Sequence, residues 1–156
     1  MKRLSFLFVT LLIGGVMLAG CKKEKEEPTP EPTPTETKIV YSISNTYDGG
    51  SSVYTLSPGL YFTFTYTDAD GKEVEVKNAE LPWEKTITVT SPFEAKLEGE
   101  ITYKEEELPE KVIFVKNIRI IDLPNAEIIE ASKIPDFKKF VETHPEQLKF
   151  SLSGKV

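Results

Sequence analysis

Few side chains in this 156-residue chain could do chemistry, and each stands nearly alone. There is one cysteine, Cys21, and one histidine, His144. A catalytic imidazole needs a nucleophile on one side and an orienting acid on the other. Nothing in the spacing around Thr143-His144-Pro145 supplies them. A histidine placed just before a proline, after a helical stripe, is expected at a helix end or on the surface. Zinc would need three or four nitrogen or sulfur ligands, and one histidine with one cysteine falls short. Asp68-Ala69-Asp70-Gly71 has the start of a calcium loop but not its further oxygen ligands or distal glutamate. Lys72 follows, so a plain turn is expected. Glu105-Glu106-Glu107 would hold a cation loosely or meet a basic partner, and the simpler reading is a solvated acidic loop. Catalytic carboxylates need a fixed separation across a cleft, and among 25 acidic residues no pair stands out. Trp83, the only tryptophan, is either a core aromatic or an exposed anchor for a partner, and the core is expected because aromatic burial dominates core energetics. No catalytic, cofactor-binding or metal-ligating residue is assigned. The expectation is a protein without a cofactor that is not an enzyme.

Cys21 has another chemistry in reach. Lys2 and Arg3 precede an apolar run at residues 4–17, and Leu18-Ala19-Gly20-Cys21 closes it. That is the layout of a signal peptide. The run is too short for a confident membrane span of about 20 apolar residues. The small pair before a cysteine resembles the bacterial lipobox, in which the chain is cut before the cysteine and lipid is attached to its sulfur. One acyl chain binds a membrane marginally, and two or more hold it stably. Cys21 is thus the expected lipidation site and the expected membrane contact. It leaves no thiol for catalysis or a disulfide.

Residues 1–20 are expected to be a lipoprotein signal peptide, residues 21–37 a stalk and residues 38–156 the folded domain. Lys22-Lys23-Glu24-Lys25-Glu26-Glu27 is a solvated spacer, and it also resembles the charged tract behind the cysteine in surface-exported lipoproteins of Bacteroides-type bacteria. Pro28, Pro30, Pro32 and Pro34 alternate with Thr and Glu. Proline at that density excludes helix and central strand. Such a segment runs extended at about 3.1 Å per residue, giving on the order of 50 Å of reach. The formal charge of −6 becomes −8 once Lys2 and Arg3 leave with the signal peptide. That excludes the basic footprint nucleic acid requires and offers nothing to anionic lipid.

The elements behind the stalk read as strands. Ile39, Tyr41 and Ile43 alternate with Val40, Ser42 and Ser44. A Gly-Gly turn follows Asp48, then a short strand at residues 53–56 that Pro58-Gly59 ends. Residues 61–67 give the clearest alternation, with Phe62, Phe64 and Tyr66 on one face. After the turn at residues 68–71, residues 73–77 return with Val74 and Val76 inward. Trp83, Ile87 and Val89 share a parity, as do Phe93, Ala95 and Leu97. Residues 111–121 are apolar on both sides, which suggests a central strand. Beyond them the pattern changes character. Phe137, Phe140 and Val141 form a helical stripe after Pro135, Pro145 ends it, and Leu148, Phe150 and Leu152 alternate as a last strand. Seven or eight strands with turn signals between them predict an all-β sandwich with a short C-terminal helix.

Residues 65–89, TYTDADGKEVEVKNAELPWEKTITV, carry a family resemblance. The hairpin TYTDADG, the Leu81-Pro82-Trp83 corner and the strand Lys85-Thr86-Ile87-Thr88-Val89 resemble the small mycobacterial membrane proteins of the MmpS family and Bacteroides-type lipoproteins like them. The resemblance implies an immunoglobulin-like sandwich outside the cytoplasmic membrane, and its mycobacterial members work beside lipid-exporting transporters. The expected function is that of a cell-envelope lipoprotein at the outer membrane, on its surface or periplasmic face. It would be a monomer whose domain binds or scaffolds an envelope protein partner, with no nucleic acid involved. The alternatives are an accessory subunit of an envelope transporter and an inhibitor of an exported protease that inserts the loop at Leu108-Pro109 or the turn at Gly49-Gly50.

Overall fold

The computed structural model describes residues 34–156. Cys21, the signal peptide and nearly all of the stalk lie outside the described residues. Ten strands and one short helix follow in chain order. The strands are β1 Glu36–Ser44, β2 Thr46–Asp48, β3 Val53–Thr55, β4 Leu60–Thr67, β5 Glu73–Ala79, β6 Trp83–Thr90, β7 Glu94–Tyr103, β8 Val112–Ile121, β9 Glu127–Ile134 and β10 Lys149–Lys155. The helix α1, Phe137–Thr143, lies between the last two strands. β1 already begins at Glu36, inside the segment expected to be stalk.

Two four-stranded antiparallel sheets, ordered β6-β1-β8-β9 and β10-β7-β4-β5, share one core. This is the expected all-β sandwich, with its short helix near the C-terminus. The strand count exceeds the expected seven or eight because β2 and β3 form a small hairpin of their own beside the two sheets. Alternation places the core. β1 turns Ile39, Tyr41 and Ile43 inward, and β4 opposes them with Phe62, Phe64 and Tyr66, all buried. Rings interlock across the gap: Tyr41 lies 5.4 Å from Tyr66, and Trp83 meets Phe64 edge-on at 4.6 Å. Tyr41 also donates its hydroxyl hydrogen to the Thr67 carbonyl at 2.8 Å, a hydrogen bond that ties one sheet to the other. Burial pushes that hydroxyl's pKa up to about 12.

β8 is central, between β1 and β9, as its double-sided apolar pattern predicts. Val112, Phe114, Ile118 and Ile120 belong to the shared core. Val115, on the other face, is fully buried too. The β2–β3 hairpin lies against β8, with Tyr47 and Tyr54 stacked at 6.2 Å. Where β1 leaves the sheet, Ser57 takes its place: its N–H donates to the Ile113 carbonyl, and its Oγ accepts from the Ile113 N–H.

β9 occupies a stretch that carries no clear strand signal. It pairs with β8 from Arg119↔Glu127 to Val112↔Ile134. Within that register Lys116, only 4% exposed, meets Glu130 at 2.6 Å, so this buried ammonium has its counter-charge on the neighbouring strand. Helix α1 is capped by Asp136, whose carboxylate accepts from the Lys139 N–H at 3.0 Å. Pro135 therefore sits just ahead of the cap. Phe137 packs against Phe114 and Tyr103, closing that end of the core.

Candidate functional site

The register gives the sandwich two unlike ends. Glu36 pairs with Thr90, Thr67 with Glu73, Arg119 with Glu127 and Lys155 with Glu94, so all of these lie at the end where the described chain enters. The connections there are short. At the turn of residues 68–72 Asp68 Oδ1 accepts from the Asp70 and Lys72 N–H groups at 3.0 and 2.9 Å, and Gly71 takes φ of 77°. The Asp68 side chain thus serves its own turn, and Asp70 pairs with Lys72 at 3.8 Å. Residues 91–93 cross from sheet to sheet, with Phe93 paired to Val156. Residues 122–126 fold back through Asp122 and Asn125 at positive φ, a conformation these two residue types tolerate. They drop Leu123 against Gly154, where an added Cβ would lie 2.8 Å from Leu123 Cδ1 and push that side chain aside.

The opposite end carries the longer irregular segments. These are residues 45–59 with the β2–β3 hairpin, residues 80–82, residues 104–111 and residues 135–148 with α1. Loops held by a rigid scaffold are where binding residues concentrate.

The residues singled out in the sequence are spread over this far end without converging. Glu105, Glu106 and Glu107 form a 3-10 turn, and each has a different surrounding. Glu107 accepts from the Tyr61 hydroxyl and from Lys104 Nζ at 2.9 Å. These two bonds hold its carboxyl below the usual range, that to Tyr61 first, while the same bond raises Tyr61. Lys104 also lies over the Tyr61 ring at 5.0 Å. Glu105 meets Lys138 of α1 at 3.4 Å. Leu108 packs against the core. His144 ends α1: it stacks on Phe140 at 5.3 Å, and its Nδ1 lies 2.8 Å from Thr143 Oγ1. Trp83 is half-buried at the start of β6, against Phe64 and Tyr66. The Gly49-Gly50 turn is exposed, and Val53 beside it is 68% exposed.

Two concavities bear on binding. A shallow trough of about 640 Å³ crosses the outer face of β10-β7-β4-β5, between the hydroxyls of Thr63, Thr65 and Ser151 and the carboxylates of Glu75, Glu98 and Glu100. A second hollow of about 450 Å³ lies at the far end, where β8 begins and β9 finishes. It is lined by Lys111, Val112, Ile113, Lys133, Ile134 and Pro135. Sequence reasoning missed this second group. Its members are two short runs separated by residues 114–132, and only the β8–β9 register, with Ile113 opposite Lys133, brings them together. Among the described residues no helix is long and apolar enough to cross a membrane. No protein-family model matches the chain, and no curated protein matches it.

Proposed function

We propose that this chain is a lipid-anchored lipoprotein of a bacterial cell envelope, and that its sandwich is a binding or scaffolding module rather than an enzyme. The anchor rests on Leu18-Ala19-Gly20-Cys21 and the apolar run before it. The observation that carries the binding reading is the polarity of the sandwich. The chain enters at the end with tight turns, next to Ser91, and the long loops gather at the other end. A domain tethered at residue 34 by a proline-rich stalk would hold those loops away from the lipid, toward an envelope partner. The resemblance of residues 65–89 to the MmpS family supports the same setting outside the cytoplasmic membrane.

Metabolic labelling with palmitate tests the anchor. The natural chain should incorporate label and partition with membranes. Cys21→Ser should take up none, remain uncut and lose the tight membrane association that acyl chains confer. A Cys21→Ser protein that still takes up label sinks the reading.

A further inference from the structure

Most basic side chains in the domain are matched to acids. Lys72 pairs with Asp70, Lys77 with Glu75, Lys96 with Glu98, Lys104 with Glu107, Lys116 with Glu130, Arg119 with Glu127, Lys138 with Glu105 and Lys155 with Glu94. Six lysines make no such pair among the described residues: Lys38, Lys85, Lys139 and Lys149, and the two where β8 begins and β9 finishes, Lys111 and Lys133. Both are exposed, and both line the 450 Å³ hollow. The carboxylates nearest in sequence are engaged elsewhere or point to no partner: Asp136 caps α1, and Glu110 forms no ion pair with either lysine. Lys133 Nζ lies 5.7 Å from the Tyr54 ring centre, a contact that steadies an ammonium without neutralising it. The other four lining residues, Val112, Ile113, Ile134 and Pro135, are apolar.

We propose that this hollow is a binding site for a free aliphatic carboxylate, whose chain lies along Ile113 and Pro135 and whose head group meets Lys111 and Lys133. The inference rests on the reading of the domain as a binding module, and it names a ligand class for it. The volume falls within the roughly 300–1,000 Å³ of small-ligand clefts. The walls are aliphatic, and no lining residue is aromatic, so a flexible hydrocarbon chain fits better than a stacked ring. The donors are two lysines and no arginine. They offer point charges rather than the planar fork that recognises phosphate in two places at once.

The test is an amide chemical-shift titration of the chain from residue 21 onward, carrying Cys21→Ser so that no lipid of its own competes. Sodium octanoate is the probe, kept below its micellar concentration. The expected result is saturable shifts clustered at residues 111–113 and 133–135. Octanol should bind about tenfold more weakly or worse, as should octanoate to the Lys111→Gln, Lys133→Gln double variant, each tenfold being about 1.4 kcal/mol. Lys85→Gln on the remote strand β6 should leave affinity unchanged. Shifts scattered over the domain, equal binding of octanol, full affinity in the double variant or an equal loss in Lys85→Gln would each overturn the proposal. The amide spectrum of each variant reports whether it is folded. Palmitate labelling reads a different residue, so a chain that is anchored and ignores octanoate refutes the ligand and leaves the anchor standing.

Discussion

Replacing Tyr41 with phenylalanine should separate two contributions that one hydroxyl makes to this sandwich. The side chain is 0% exposed and donates to the Thr67 carbonyl at 2.8 Å. Phenylalanine keeps the ring against Tyr66 and loses the hydroxyl's bond to Thr67 together with its contact to the Lys96 backbone. A buried hydrogen bond contributes about 1 kcal/mol net, and the abandoned carbonyl raises the cost toward ~2 kcal/mol. Near pH 8 the natural protein should therefore be ahead by about 1–2 kcal/mol. The alkaline limb runs the other way. Burial lifts the folded pKa to about 12 from an ordinary 10.0. A raised folded value means the contribution is complete below the unfolded pKa and drains away as pH climbs through the folded one. One pH unit above the unfolded pKa the loss is about 1.4 kcal/mol. The two proteins should then be almost equally stable near pH 11. Tyr61, also raised, titrates in both and cancels from the difference. Urea unfolding followed by far-ultraviolet circular dichroism at the two pH values measures the gap. A gap that stays constant between them refutes the argument that burial keeps this hydroxyl neutral. A variant as stable as the parent near pH 8 refutes the worth assigned to the Thr67 bond.

Two further substitutions probe the packing. Trp83 is half-buried against Phe64 and Tyr66, so Trp83→Ala should cost at or somewhat below the lower end of the ~3–5 kcal/mol of fully buried cases, and native emission should fall between buried and free tryptophan. A fully red, freely quenched native emission would put the ring on the surface and contradict the packing. Gly99 on β7 pairs with Phe64 on one side and Phe150 on the other. A Cβ there would lie 2.6 Å from Phe64 Cα and closer still to the Thr63 carbonyl, so Gly99→Ala has only backbone to push against. It should destabilise by about 1–3 kcal/mol or more in urea. An unchanged urea midpoint would show that the two strands separate freely.

The strands that could be read from the sequence are those with one wet face and one dry face. β4 reads Leu-Tyr-Phe-Thr-Phe-Thr-Tyr-Thr, and the structure buries Phe62, Phe64 and Tyr66 as that alternation demands. β8 was legible for the opposite reason, being apolar on both faces, with the β2–β3 hairpin covering the side away from the shared core. β9 has neither signature. Its positions facing the same way as Lys116 hold Ile128, Glu130, Ser132 and Ile134, because Glu130 must answer the buried ammonium. The alternate positions hold Ile129 and Ala131, half-covered. Both faces are mixed, so a period-2 search finds nothing. The far-end arrangement was illegible for a related reason: Tyr61 and Glu107 meet across 46 positions, and Lys111 and Lys133 line one hollow only through the register of the strand that alternation could not find.

The two ends of the sandwich also differ in what holds them. At the entry end the connections are made by backbone hydrogen bonds, Asx-type turns and the packing of Leu123 on Gly154. At the far end the acidic turn meets α1 through one exposed ion pair, Glu105 to Lys138, and holds Lys104 by another within the turn, while Phe137 anchors α1 in the core. Exposed ion pairs contribute about 0–1 kcal/mol each and weaken as salt rises. Rearranging them costs the domain little, whereas shifting the entry end would break ladder bonds and core packing. A surface built this way can change its loop side chains while the eight-stranded frame beneath stays fixed. The physical division of labour thus falls along the strand axis, with rigidity where the chain enters and adaptable side chains where the loops gather.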